Sequence, residues 1–128
     1  MARFPRGPEY PHEQFVQNAL LHFFRSEGFQ VESGHHNPDV LAWRESGERW
    51  HIEAKGMTTA VGLDFRTGIG QLLQGMTERG TRYAIAVPDE PAYRMQCQRV
   101  TAWVREALNL WWLFVDSTGS VRTVGPSE

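Results

Sequence analysis

The sequence has 128 residues, a net charge of −2, 41% apolar and 12% aromatic side chains, and one cysteine, Cys97. This suits one compact domain, is too apolar for a disordered chain, and excludes an intramolecular disulfide and any multi-cysteine zinc or iron–sulfur site. The longest apolar run, Leu110 to Val115, falls far short of the roughly 20 residues that span a bilayer, and MARFPRGPEY lacks the apolar stretch of a signal peptide. A soluble cytoplasmic protein with no membrane partner is therefore the expectation.

In chain order, residues 1–11 read as an irregular arm, rich in proline, and residues 12–128 as a single domain. From His12 to Ser26 the residues Phe15, Val16, Ala19, Leu20, Phe23 and Phe24 lay one apolar stripe along a helix that Gly28 ends. Phe29 to Glu32 suits a short strand, and Ser33 to Pro38 a turn. Asp39–Arg44 and Arg49–Lys55 flank Glu45-Ser46-Gly47-Glu48 and predict a β-hairpin. A three-residue turn containing Gly47 makes opposed residue numbers sum to 92 or 94, which sets Asp39 opposite Glu53 or Lys55. Opposed residues share a sheet face and side chains alternate. Asp39, Glu53 and Lys55 then cluster on one face with His51 along it, while Trp50, Ile52 and Ala54 enter an apolar layer.

Asp64 is expected to cap a helix from about Phe65 that Gly80 ends, with Phe65, Ile69, Leu72, Leu73 and Met76 buried and Thr67, Gln71, Gln74 and Glu78 in a polar stripe. Arg82–Val87 reads as a buried strand. A helix over Ala92–Asn109, with Val100, Trp103, Val104, Ala107 and Leu108 inward, is followed by a hairpin of Trp111–Asp116 and Ser120–Val124. Together these segments predict a mixed α/β sheet flanked by helices.

The chemistry concentrates at Pro38-Asp39, thirteen intervening residues, and Glu53-Ala54-Lys55. Two carboxylates on adjacent strands can hold Mg²⁺, a hard ion that prefers oxygen ligands, and an exposed Ala54 carbonyl could add a third protein oxygen. Lys55 reaches the same point and can stabilise charge on a phosphate. Twelve of the thirteen basic residues are arginine, and Lys55 is the single lysine. A compact ammonium is not interchangeable with a planar guanidinium, so its survival here marks the position. His35, His36 and His51 fit no standard zinc spacing, and Cys97 has no matched base and reads as packing.

These residues and their setting resemble the PD-(D/E)XK nuclease superfamily, the restriction-endonuclease-like fold. The resemblance covers roughly residues 13–87 and rests on Pro38, Asp39, Glu53, Ala54 and Lys55 within the order αβββαβ, here followed by a helix and a terminal β-hairpin. It implies a metal-dependent phosphodiesterase using Mg²⁺, for which Mn²⁺ can substitute. Asp39, Glu53 and the Ala54 carbonyl would be metal ligands, and Lys55 catalytic. Members often place a glutamate in the first helix near the metal, a position Glu13 occupies, and a glutamine in the helix after the motif lysine, matched by Gln71. In the Gln-x-x-x-Tyr subfamilies an aromatic follows four residues on, where this chain has Gly75. The implied partner is nucleic acid, DNA before RNA, with a homodimer or a larger complex as further partners.

The leading expectation is a DNA endonuclease of repair, recombination or phage defence. The alternatives are a module on a nuclease fold that binds nucleic acid or a partner without cutting, and a homodimeric enzyme similar to a Holliday junction resolvase. An intact Asp39, Glu53 and Lys55 set weighs against the first, and the acidic net charge against the second.

Overall fold

The computed structural model describes residues 7–34 and 39–128. The elements are α1 (Glu13–Ser26), β1 (Gln30–Ser33), β2 (Val40–Trp43), β3 (Arg49–Ala54), α2 (Val61–Gln74), β4 (Arg82–Pro88), α3 (Pro91–Gln98), α4 (Ala102–Leu108), β5 (Leu110–Val115) and β6 (Val121–Val124). The six strands form one mixed sheet in sequence order. β1–β2 and β2–β3 pair antiparallel, β3–β4 and β4–β5 parallel, and β5–β6 antiparallel. The expected α/β architecture of a mixed sheet flanked by helices is thus present. His35, His36 and Pro38 lie outside the described residues.

Alternation divides the sheet into two apolar layers. The amphipathic face of α1 puts Val16, Leu20 and Phe24 against Val40, Ala42, Trp50, Ile52 and Ala54. On the other face, Phe65 and Leu72 of α2 and Tyr93 and Cys97 of α3 meet Tyr83, Ile85, Val87, Trp112 and Phe114. The near-continuous burial of β4 and β5 follows from their parallel central places, where both faces are covered.

Three helix expectations are corrected. α2 begins at Val61 and not near Phe65, and its N-cap is Ala60. Asp64 lies inside the first turn, where an acid suits the helix dipole. Its carboxylate accepts from the Thr58 hydroxyl, which itself accepts from the Ala60 N–H. The helix ends at Gly75, so Gly80 does not stop it and Glu78 lies beyond it.

The expected helix over Ala92–Asn109 is two helices. The Arg99 and Val100 amides close tight turns onto the Gln96 and Cys97 carbonyls, and Thr101 is extended at φ −70° and ψ 153°. The restart changes the phase of the stripe. Trp103 is consequently 72% exposed and Ala107 exposed, both against expectation, and Arg105 is buried. Its guanidinium stacks 4.9 Å from the Trp112 ring centre and donates to the carbonyls of Val124, Gly125 and Glu128. Three carbonyl acceptors make burial of this cation tolerable.

Candidate active site

The β2–β3 hairpin sets the centre of the site. The Arg44 amide donates to the Glu48 carbonyl at 3.2 Å and the Gly47 amide to the Arg44 carbonyl at 2.9 Å, closing a three-residue loop with Gly47 at φ +94°. That conformation is accessible to glycine at little cost. The resulting pairs, Val40 with Ile52 and Leu41 with His51, give the sum of 92. Extended by one residue, this register sets Asp39 opposite Glu53.

Asp39 is the residue just before β2, and its side chain continues the ladder. Its Oδ2 accepts the Ala54 N–H at 2.9 Å. The Ala54 carbonyl lies on the same edge of β3 as its N–H, beside Asp39. Ala54 itself is fully buried, so the expectation of an exposed carbonyl is corrected: α1 and the sheet cover this residue. Glu53 alternates to the α2 face and is 1% exposed. Burial first, then the charge of Asp39 and a hydrogen bond to it, hold the Glu53 carboxyl well above the usual carboxylate range. Lys55 opposes that shift, and Glu13 adds to it. Desolvation and a like charge both favour the neutral acid.

Lys55 runs along the same face under α2. A Cβ on Gly68 would lie 3.2 Å from the Lys55 Cε and 2.8 Å from the Ile85 Cδ1, so glycine is what lets the helix come down on the lysine stem. Gln71, one turn beyond Gly68, shares that flank of α2. It is partly buried, and its buried Oε1 has no hydrogen-bond partner among the described residues. Thr67 and Gln74, expected beside it, are exposed. His51 lies on the Glu53 face as the register requires, its ring edge-on to Tyr83 at 5.4 Å. Burial and then the Arg49 charge lower its pKa, against Glu78.

Glu13 arrives from the opposite layer. The Met57 amide donates to the Pro11 carbonyl at 2.9 Å, and the Tyr93 hydroxyl donates to the Gly56 carbonyl at 2.7 Å. Between these ties the first residues of α1 press on Gly56, where a Cβ would sit 2.7 Å from the His12 carbonyl carbon. This packing brings Glu13 within electrostatic reach of Glu53. Among the described residues, no three or more His, Cys, Asp or Glu side chains gather as a metal cluster. Gly56 and Tyr93 were missed by the sequence reading. A glycine directly after the motif lysine was the available sign for the first, and the second had none.

Asp39, Glu53 and Lys55 are therefore together, Gln71 flanks them, and the charge of Glu13 is felt at Glu53. Two adjacent oxygen donors, one disfavoured as an anion by the other, are a donor set that a hard divalent cation would neutralise, and Mg²⁺ commonly takes only one or two protein carboxylates. The residues present fit such an ion. Comparison with models of protein families, with curated proteins and with solved structures found no match to this chain.

Proposed function

We propose that this chain is a metal-dependent nuclease that hydrolyses phosphodiester bonds, with DNA as its substrate and a centre of the PD-(D/E)XK type on a restriction-endonuclease-like fold. One observation carries the reading: the Asp39 carboxylate is fixed on the Ala54 amide beside the buried Glu53, with Lys55 on the same face. Asp39 and Glu53 would hold the ion, without the buried Ala54 carbonyl. When bound, a divalent ion supplies Lewis acidity and lowers the cost of activating water.

The chain's own groups supply the remainder. The Ala54 N–H orients Asp39, and a bound ion would take the place of the hydrogen bond between Asp39 and Glu53. Lys55 places positive charge where a scissile phosphate gains negative charge, which favours the transition state over the ground state. The Gln71 Oε1 can accept from the Lys55 ammonium or a water, while its amide donates to a phosphate oxygen.

The test is incubation of purified protein with plasmid, linear, single-stranded and branched DNA, and RNA, in Mg²⁺ or Mn²⁺. Cleavage should require the metal and be abolished in Asp39→Ala, Glu53→Ala and Lys55→Ala with folding kept. Binding without metal-dependent cutting of any substrate would instead identify a non-cleaving module.

A further inference from the structure

Two large apolar side chains, Leu41 and Trp43, belong to neither core layer, though both are partly buried. They alternate away from Val40 and Ala42, which α1 covers, and so lie on the Glu53 face of the sheet. Among the described residues α1 is the helix packed on β1 and β2, from the opposite side, whereas α2 lies over β3 and β4. Cross-strand pairing sets Leu41 against His51 and Trp43 against Arg49. Among the described residues, Leu41 and Trp43 on β2 therefore lie beside α2 and not beneath it, and the β3 residues along that border run from the buried Glu53 through the half-buried His51 to the exposed Arg49.

We infer that this border binds an unpaired nucleic-acid strand running from the Asp39–Glu53 centre along β2 and β3, with a base stacked on Trp43 and phosphates met by His51 and Arg49. The inference rests on the nuclease reading and names its substrate form. Successive same-face residues of β3 are about 6.6 Å apart, a repeat on the scale of one extended nucleotide, so each side chain can meet a different nucleotide. Arg49 is 51% exposed, and its ion pair with Glu78 is long, at 3.9 Å. Such an exposed pair is worth little and yields readily to a phosphate. Glu32 lies at the outer edge of the same face, opposite Leu41, so charge confines the strand to the β2–β3 side. An unpaired strand is favoured over a duplex because an aromatic face needs an unstacked base, and a chain of net charge −2 offers few phosphate contacts to a duplex.

The experiment measures binding of a labelled oligothymidylate and of a blunt duplex of equal length to Glu53→Gln protein, chosen so that nothing is cut. The oligothymidylate should bind more tightly. Trp43→Leu should weaken it about tenfold or more, and Trp43→Phe, which keeps a ring, by much less. Arg49 is the one permanently charged side chain of the two phosphate contacts, so log affinity against log salt should have a slope of about −0.7, which Arg49→Gln should largely remove. If Trp43→Leu misfolds, the Arg49→Gln slope decides. Tighter binding of the duplex, an unchanged Trp43→Leu affinity or an unchanged Arg49→Gln slope overturns the inference. So does self-association that Trp43→Leu abolishes, which would give the border to a second copy. Cleavage by the parent protein combined with any of these results removes this inference alone, whereas a parent that neither cuts nor binds removes the nuclease reading as well.

Discussion

Gly56 and Gly68 both admit a close approach, but what approaches differs, and so do the expected effects of substitution. At Gly56 an added methyl would meet the α1 backbone, including the His12 carbonyl carbon at 2.7 Å. Backbone held by the Pro11–Met57 and Tyr93–Gly56 hydrogen bonds cannot yield cheaply. Gly56→Ala should therefore lower stability by about 1–3 kcal/mol, as overpacking does, seen as a lower thermal midpoint. At Gly68 the neighbours are the ends of Lys55 and Ile85 side chains, and alanine gains about 1 kcal/mol of helix propensity over glycine. The Ile85 Cδ1 must shift first and the Lys55 stem must give way too, so Gly68→Ala should change the midpoint little, the helix gain offsetting the crowding, while slowing cleavage through the displaced lysine. Gln71→Ala should also slow cleavage without lowering the midpoint, since it removes a buried acceptor that lacks a partner. Equal rates in parent and Gln71→Ala across metal concentrations would leave Gln71 outside the site. The spacing of Asp39, Glu53 and Lys55 was readable because strand alternation is strict. Gly56 was not, because its constraint comes from a helix more than forty residues earlier in the chain.

The β2–β3 hairpin is also held by Glu48, which accepts from the Trp50 indole at 3.0 Å, Arg44 at 2.6 Å and Arg82 at 2.9 Å. Desolvation would raise the Glu48 pKa, but the Trp50 hydrogen bond and the two arginines outweigh it and the net shift is downward. A carboxylate whose folded pKa is depressed adds stability that is present above its unfolded pKa and lost as pH falls through the folded value. Glu48→Gln should therefore cost about 1 kcal/mol near neutral pH, a figure reduced for the solvent around both arginines. Melts repeated toward acid should show the gap between variant and parent closing below about pH 4. A gap that stays constant with pH would mean that the charge contributes nothing. This hairpin was legible because Gly47 fixes the loop length, and α1 because its stripe is unbroken. The start of α2 was not, since Thr58 and Asp64 satisfy each other where a simple N-cap was expected. The break before α4 was hidden because the apolar spacing runs on past it, and only the extended Thr101 reveals that the phase has changed.

At the scale of the whole molecule, one domain carries one such centre. A monomer acting on supercoiled plasmid should therefore accumulate nicked circles before linear product, whereas a symmetric pair of centres would cut both strands in one encounter. Linear product appearing without a nicked intermediate would show that two copies act together. The mixed-sheet architecture follows from patterns spread over the chain, but the substrate does not, because net charge and composition describe the whole surface and recognition is a local matter. Whether Asp39 and Glu53 form a divalent-cation site is decided by Mn²⁺ titration followed by electron paramagnetic resonance. The parent protein should deplete the free Mn²⁺ signal with saturation, and Asp39→Asn should weaken that binding at least tenfold while its thermal midpoint shows that it remains folded. Equal Mn²⁺ binding by the parent and Asp39→Asn proteins would contradict the account.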